Sequence, residues 1–378
     1  MTSSAPTTIT PAKPGRSHRL RRRILGSGVL DLLAGPPGVD GYLEQIRPTW
    51  VVGACRATVV RVERSTPDTV TLGLRANSAW EGFRAGQFVQ LGVEIDGSWR
   101  ERCYSPASVA GLGRDLELTV KRHAAGLVSG FLFERARPGM VVALSQAEGE
   151  FRLPDRRPGR ILLISAGSGI TPVMSILRTL CAEGHPGPIT FFHYAPDPAR
   201  AIYRDELERL ARRHPNVRLV RSYTRARGAG EIDGRFTISQ VAGAEPDFAR
   251  AETFACGPAD LLDAVGREWR GARLESRLHT ESFVPSSFPP ASGDATGEIH
   301  FAGSGTRVEN NGAVLLEQAE QAGLSPRFGC RMGICHTCSC RKTAGRVKNL
   351  STGELSVSDD EEIQICVSAP IGDVVVDL

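Results

Sequence analysis

No stretch of this 378-residue chain is apolar enough to cross a bilayer. The longest apolar segment, residues 161–177, is interrupted by Ser165, Gly167, Ser168, Gly169, Thr171 and Pro172 and is too polar to span. The N-terminus is rich in Ser, Thr and Pro and lacks an apolar core before a cleavage site, so no secretory signal is expected. Lysine is scarce, with four among 46 basic side chains, an arginine bias that reads as genome composition and not as chemistry. A formal charge of +4 is too small to imply nucleic acid. Nine cysteines are too sparse for a disulfide scaffold in a chain this long. Internal repeats are absent. These exclusions leave a soluble, cytoplasmic protein long enough for two or three domains, each with its own core.

Charge is unevenly spread. Residues 297–378 carry seven basic and eleven acidic side chains, so residues 1–296 hold a net +8. Such asymmetry favours docking of the two parts, or offers different faces to different partners. Residues 1–50 read as an N-terminal extension, partly disordered, with a basic stretch at 18–23. That stretch is a solvated arm or a contact for an anionic membrane surface. From 51 to 155 the pattern is all-β, with runs at 57–62, 69–74, 88–93 and 116–120 and one helical insertion at 127–133. It predicts an antiparallel β-barrel. From 156 to 281, strand-like 161–165, 190–193, 218–223 and 253–256 alternate with helical 173–181, 204–212 and 259–270. This is a βαβ series, hence an α/β parallel sheet with a nucleotide crevice at its strand C-termini. A Pro/Ser/Gly linker at 282–296 leads to a compact domain at 297–378, with a helix near 314–321.

The densest chemistry lies in that last domain. Cys330 and Cys335 are separated by four residues, Cys335 and Cys338 by two, and Cys366 follows after 27 more. The first three have plant-type 2Fe–2S spacing, in which soft thiolates hold iron. Gly329 and Gly333 let the loop wrap closely. Zinc usually shows paired C-x2-C units or added histidines. His336 reads as a surface residue and Cys340 as a spectator. The loop FGCRMGICHTCSC and the ending ICVSAPIGDVVVDL resemble a plant-type ferredoxin domain of α+β, β-grasp fold. The resemblance implies Cys330, Cys335, Cys338 and Cys366 as cluster ligands.

Upstream, Gly167, Gly169, Thr171 and Pro172 form a G-x-G-x-x-P turn between a strand and a helix. The glycines admit a pyrophosphate and the helix N-terminus supplies N–H donors. Cys256, Gly257 and Pro258 end the last expected strand. Residues 54–283 resemble the ferredoxin–NADP reductase superfamily. There the C-G-P turn approaches the nicotinamide, and a Ser/Thr–Arg pair, here Thr224 and Arg225 with Arg227 nearby, holds the 2′-phosphate of NADPH. A guanidinium suits a phosphate, and no acidic residue that would favour NADH occurs between Val217 and Gly230.

Hydride arrives as two electrons and a 2Fe–2S cluster takes one, so a carrier that splits the pair must lie between them; flavin can do this, and the two sites predict one. Arg102, Tyr104, Ser105 and Ser108 match the family's R-x-Y-S-x-x-S. The resemblance gives Tyr104 to the isoalloxazine face, Ser105 to its edge and Arg102 to the pyrophosphate. Gly126, Val128 and Ser129 fall in its phosphate-binding G-x-x-S turn. FAD is favoured, although reductases with this domain order also use FMN. Glu281 to Phe283 resembles the closing acidic–aromatic element, with Phe283 shielding the flavin; a plain interdomain linker is the rival reading.

The expectation is an electron relay with no proton-transfer catalyst, passing electrons from NADPH through FAD and the cluster to an outside protein. The N-terminal segment LDLLAGPPGVDGYLEQIRPTW and the stretch SQAEGEF resemble bacterial reductases of membrane acyl-CoA or fatty-acid desaturases. A hydrocarbon or aromatic-ring oxygenase is the alternative acceptor. A redox sensor module without turnover is the alternative of another class.

Overall fold

The computed structural model describes residues 54–124, 126–283, 296–329, 331, 333, 336–350 and 352–378. The basic stretch at 18–23, the N-terminal segment read as desaturase-like, Cys330 and Cys335 lie outside the described residues. No helix among the described residues is long and apolar enough to cross a membrane.

The chain first builds a six-stranded antiparallel sheet from β1 (Arg56–Thr66), β2 (Thr69–Ala76), β3 (Val89–Ile95), β4 (Ser98–Tyr104), β5 (Asp115–Lys121) and β6 (Val141–Leu144), in the order β4-β3-β6-β1-β2-β5. A bridge between Pro106 and Leu118, with Ala107 N–H donating to the Glu117 carbonyl at 2.8 Å, joins the two edge strands into a barrel. Alternation along β5 places Leu116, Leu118 and Val120 in a core with Val59, Leu72, Leu74 and Leu91. The expected helical insertion is α1 (Leu127–Arg135).

A six-stranded parallel sheet follows, built of β7 (Ile161–Ala166), β8 (Ile189–Ala195), β9 (Val217–Tyr223), β10 (Ile232–Asp233), β11 (Glu252–Cys256) and β12 (Leu278–Glu281). Its order β10-β9-β8-β7-β11-β12 reverses between β7 and β11, a topological switch point. Buried on both faces, β8 carries seven consecutive buried residues, as a central parallel strand requires. Helices α2 (Ile170–Ala182), α3 (Arg204–Arg213), α4 (Ile238–Ala244) and α5 (Ala259–Gly271) cover it. The sequence pattern had not marked α4, β10 or β12.

The third unit packs α6 (Leu315–Gln321) on a mixed sheet of β13 (Glu298–Phe301), β14 (Thr306–Glu309), β15 (Ser339–Asn349), β16 (Leu355–Ser356), β17 (Glu361–Gln364) and β18 (Ser368–Val376). Strand β13 runs parallel to β18, while its other neighbour and the rest of the sheet are antiparallel. One hydrophobic cluster spans the first two units: Ala85, Ala107 and Phe151 from the barrel side pack with Ile161, Leu163 and Phe254 of the parallel sheet.

Candidate functional site

The parallel sheet's switch point gathers two glycine turns. Gly167 takes φ +55°, and the turn from Gly167 to Gly169 delivers the chain into α2. A β-carbon on Gly169 would lie 2.4 Å from the Cys256 carbonyl oxygen. One on Gly257 would meet Leu261 at 2.8 Å. The two motifs found separately in the sequence are thus pressed together, and only glycine permits that approach. Thr171 Oγ1 donates to the Ser168 carbonyl at 3.2 Å, and Thr171 and Pro172 are buried in the first turn of α2. No side chain caps α2, so no capping side chain takes the donors of its first turn. At the next strand ends, Thr224 N–H donates to the Ala195 carbonyl and Arg225 N–H to the Pro196 carbonyl, at 2.9 and 2.8 Å. Both side chains are exposed, and no carboxylate among the described residues pairs with Arg225 or Arg227.

On the barrel, Tyr104 ends β4 opposite Val89. Burial pushes its phenol well above the ordinary range. Arg102, two residues earlier, donates to the Glu101 carbonyl at 2.7 Å. Burial lowers its pKa, and Arg331 adds to the push. No carboxylate among the described residues pairs with it. A partly buried guanidinium without a counter-charge fits an anionic phosphate. Ser108 turns its hydroxyl to accept from Glu117 N–H at 3.1 Å, while its carbonyl accepts from Ser175 Oγ of α2 at 2.8 Å. In the first turn of α1, Ser129 Oγ accepts from His123 N–H and donates to the Gly126 carbonyl, both at 3.2 Å. Val128 beside it is buried. The Ser129 hydroxyl is therefore engaged within the turn, and the uncapped start of α1 at Gly126 is what remains for a phosphate.

Between the two units, Glu281 at the end of β12 pairs in register with Cys256 and points at the barrel. Its side chain accepts from Ser105 Oγ at 3.5 Å and lies near Gly149 of the SQAEGEF stretch. Burial pushes the Glu281 carboxyl up to about 8, with the Ser105 hydroxyl opposing. Burial, with Glu281 adding, raises the Cys256 thiol. Phe283 packs on the cluster shared by barrel and parallel sheet. Glu281 thus belongs to a strand and a crevice and not to a linker. Sequence reading named the segment but missed the carboxyl's burial; the signal was an acid closing a strand-length run, Leu278–Glu281.

In the third unit Cys338 and Cys366 are buried in one cluster with Leu315, Ile365 and Val367. The carbonyl of Cys338 accepts from Ile365 N–H at 3.3 Å, which brings the two segments together. Gly333 takes φ +74°, and a β-carbon there would strike Val367 at 2.9 Å. Cys340 Sγ is directed at the Asp377 carbonyl, 3.2 Å away. Sulfur donors buried behind a closely wrapped loop fit an iron–sulfur centre.

The comparisons agree with this layout. Residues 56–153 match the oxidoreductase FAD-binding domain, 163–267 the oxidoreductase NAD-binding domain, and 299–370 the 2Fe-2S iron-sulfur cluster binding domain. An NADPH oxidoreductase of Mycobacterium tuberculosis is 37% identical over 344 residues, spanning 90% of this chain and 88% of that one. The glycine betaine monooxygenase reductase subunit of Pseudomonas aeruginosa is 31% identical over 355 residues, 87% of this chain and 96% of its own. Phthalate dioxygenase reductase shares the fold, with a TM-score of 0.58 at 24% identity over 85% of this chain and 97% of its own. Fold and site define a flavin-dependent electron carrier with a built-in iron–sulfur domain. The chain belongs to the ferredoxin-reductase-type NAD(P)H oxidoreductases that join FAD, nicotinamide and 2Fe–2S domains in one polypeptide. It transfers electrons from a pyridine nucleotide through FAD to a 2Fe–2S cluster.

Proposed function

We propose that the chain is the reductase component of an oxygenase, drawing electrons from NADPH. The observation that carries this is the 31% identity to a monooxygenase reductase subunit over nearly its whole length. It favours the oxygenase acceptor over the desaturase expected first from the N-terminal segment. NADPH is supported by the exposed Arg225 beside Thr224, with no carboxylate partner among the described residues, and by the relative at 37% identity that is named for NADPH.

Domain boundaries follow as 51–155, 156–281, a linker at 282–296, and 297–378. Within them Arg102 and the start of α1 at Gly126 hold the flavin pyrophosphate, Tyr104 lies on the ring and Ser105 at its edge. The turn from Gly167 to Gly169, Thr171 and the start of α2 receive the nicotinamide pyrophosphate. Cys256, Gly257 and Pro258 wall the crevice, and Phe283 covers it. Cys330, Cys335, Cys338 and Cys366 hold the cluster. FAD, when bound, supplies the conversion of a two-electron hydride into single electrons. Glu281, held near neutral by its burial, keeps the crevice free of a negative charge beside Ser105.

The test combines purified protein, NADPH and an oxygenase component with its substrate. Hydroxylated product formed in step with NADPH consumption supports the reading, and Arg225→Ala lowers the preference for NADPH over NADH. NADPH oxidised without product, with desaturation in membranes bearing a desaturase, replaces the oxygenase by the desaturase. Flavin and iron–sulfur absorption that NADPH leaves unbleached indicates a sensor without turnover.

A further inference from the structure

The loop that carries three of the four cluster cysteines is fastened to the barrel at both ends. Before it, the Phe328 ring stands between two guanidiniums, with Arg331 Cζ 4.0 Å and Arg102 Cζ 5.5 Å from its centroid. Arg331 belongs to the loop itself; Arg102 belongs to β4 of the barrel. At its far end, one residue before Cys338, Thr337 Oγ1 donates to Gln90 Oε1 on β3 at 2.8 Å. Gln90 pairs in register with Cys103, the neighbour of Arg102, so both fastenings grip one edge of the β3–β4 ladder.

The two arginines are not equivalent. Arg331 is paired with Glu320 of α6, yet its charge still opposes that of Arg102. Arg102 has no carboxylate partner among the described residues. An aromatic face attracts each cation, but two cations on one ring repel each other. An anion held by Arg102 away from the ring offsets that repulsion, while the planar guanidinium keeps its packing on the ring.

Resting on the reading of Arg102 as the flavin phosphate anchor, we infer that flavin binding and docking of the iron–sulfur domain are coupled through the Arg102–Phe328 contact. Phe328 is then a positioning residue, and the coupling is reciprocal by linkage: FAD tightens the docked loop, and the docked loop tightens FAD. The cluster domain is held against the barrel when there is a flavin to draw on.

The experiment uses the full-length holoprotein and Phe328→Leu, which keeps an apolar side chain and removes the aromatic face. FAD affinity, followed by recovery of flavin fluorescence on dilution, is expected to weaken by about fivefold, the equivalent of one cation–π contact. Amide exchange at 336–339 is expected to speed up when FAD is stripped from the wild type, and to be already fast in Phe328→Leu. Phe328→Tyr, which restores the face, returns both readouts to wild-type values. Gln90→Leu, altered on the barrel side only, loosens 336–339 without touching the loop's sequence. Arg102→Gln tests the anchor by itself. If it weakens FAD while Phe328→Leu does not, the anchor stands and the coupling is overturned. If neither changes FAD affinity, the anchor fails and the coupling with it. Exchange at 336–339 that ignores FAD in the wild type also overturns the coupling.

Discussion

Glu281 is a carboxyl at 9% exposure whose one described hydrogen bond, from Ser105, is 3.5 Å long. A charge there lacks the donors that would repay its lost hydration, so the group stays protonated up to about pH 8. An unfolded glutamate has a pKa of 4.5, so folding takes up a proton between those values. The stability this group contributes is full below about pH 4.5 and falls as pH rises towards 8. Glu281→Gln, permanently neutral, removes that slope. Near pH 7 the variant should be more stable by on the order of 3 kcal/mol. Urea midpoints measured from pH 5 to 8 should converge at the acid end and separate at the basic end. Parallel curves would show that Glu281 ionises normally in the folded protein. The same substitution leaves a neutral group beside Ser105, so electron entry from NADPH should survive at pH 7 better than with Glu281→Lys.

At the scale of elements, the site was legible wherever local backbone demands left a mark. The glycine turn between β7 and α2 is one such mark, and the Cys256–Gly257 turn after β11 is another. What could not be read was that they touch, because contact between them depends on strand order and not on spacing. Their contact makes a prediction. Gly169→Ala places a methyl 2.4 Å from the Cys256 carbonyl, where backbone faces backbone and neither can rotate away. The turn must shift, and the nicotinamide crevice with it. KM for NADPH should rise on the order of tenfold, a loss of about 1.4 kcal/mol of binding, while FAD content stays at the wild-type level, since the barrel's own flavin contacts are untouched. Unchanged KM would mean the two turns separate freely. The long runs of β1 and β2 were legible from their Val, Leu and Thr content. Two-residue β10 and the short helix α4 were not, because neither repeats a period long enough to register. Strand β12 was lost for another reason: half-buried Leu278 and His279, exposed Thr280 and buried Glu281 present no apolar alternation.

For the whole molecule the question is what holds barrel and parallel sheet in one orientation, since hydride can pass only if the crevice between them is fixed. Part of the answer is the shared hydrophobic cluster. Another part is a charged knot around Arg178 of α2, which is 12% exposed. Its guanidinium donates to Glu117 of β5 at 2.8 Å, to the Ala107 carbonyl at 2.7 Å, and to Glu206 of α3 at 2.7 and 2.6 Å. Tyr203 Oη donates to the same Glu117 at 3.1 Å and lies 2.5 Å from Thr119 Oγ1. Burial alone would raise the Glu117 carboxyl, but Arg178 and Arg61 outweigh it and hold it below the usual range. Removing the arginine leaves Glu117 buried against a tyrosine with only Arg61, itself half-exposed, to answer it. Arg178→Met keeps the apolar stem and removes every one of those donors. The expected cost is about 3 kcal/mol, the usual range for breaking one side of a buried pair. Because the knot ties one unit to the other, the loss should fall on their mutual orientation. In calorimetry the wild-type barrel and nicotinamide domain should melt together, and in Arg178→Met they should separate into two transitions. Reduction of FAD by NADPH should slow in the variant, while reduction by dithionite, which needs no crevice, should not. A single transition with an unaltered NADPH rate would mean that the orientation of the two units is held without the Arg178 knot.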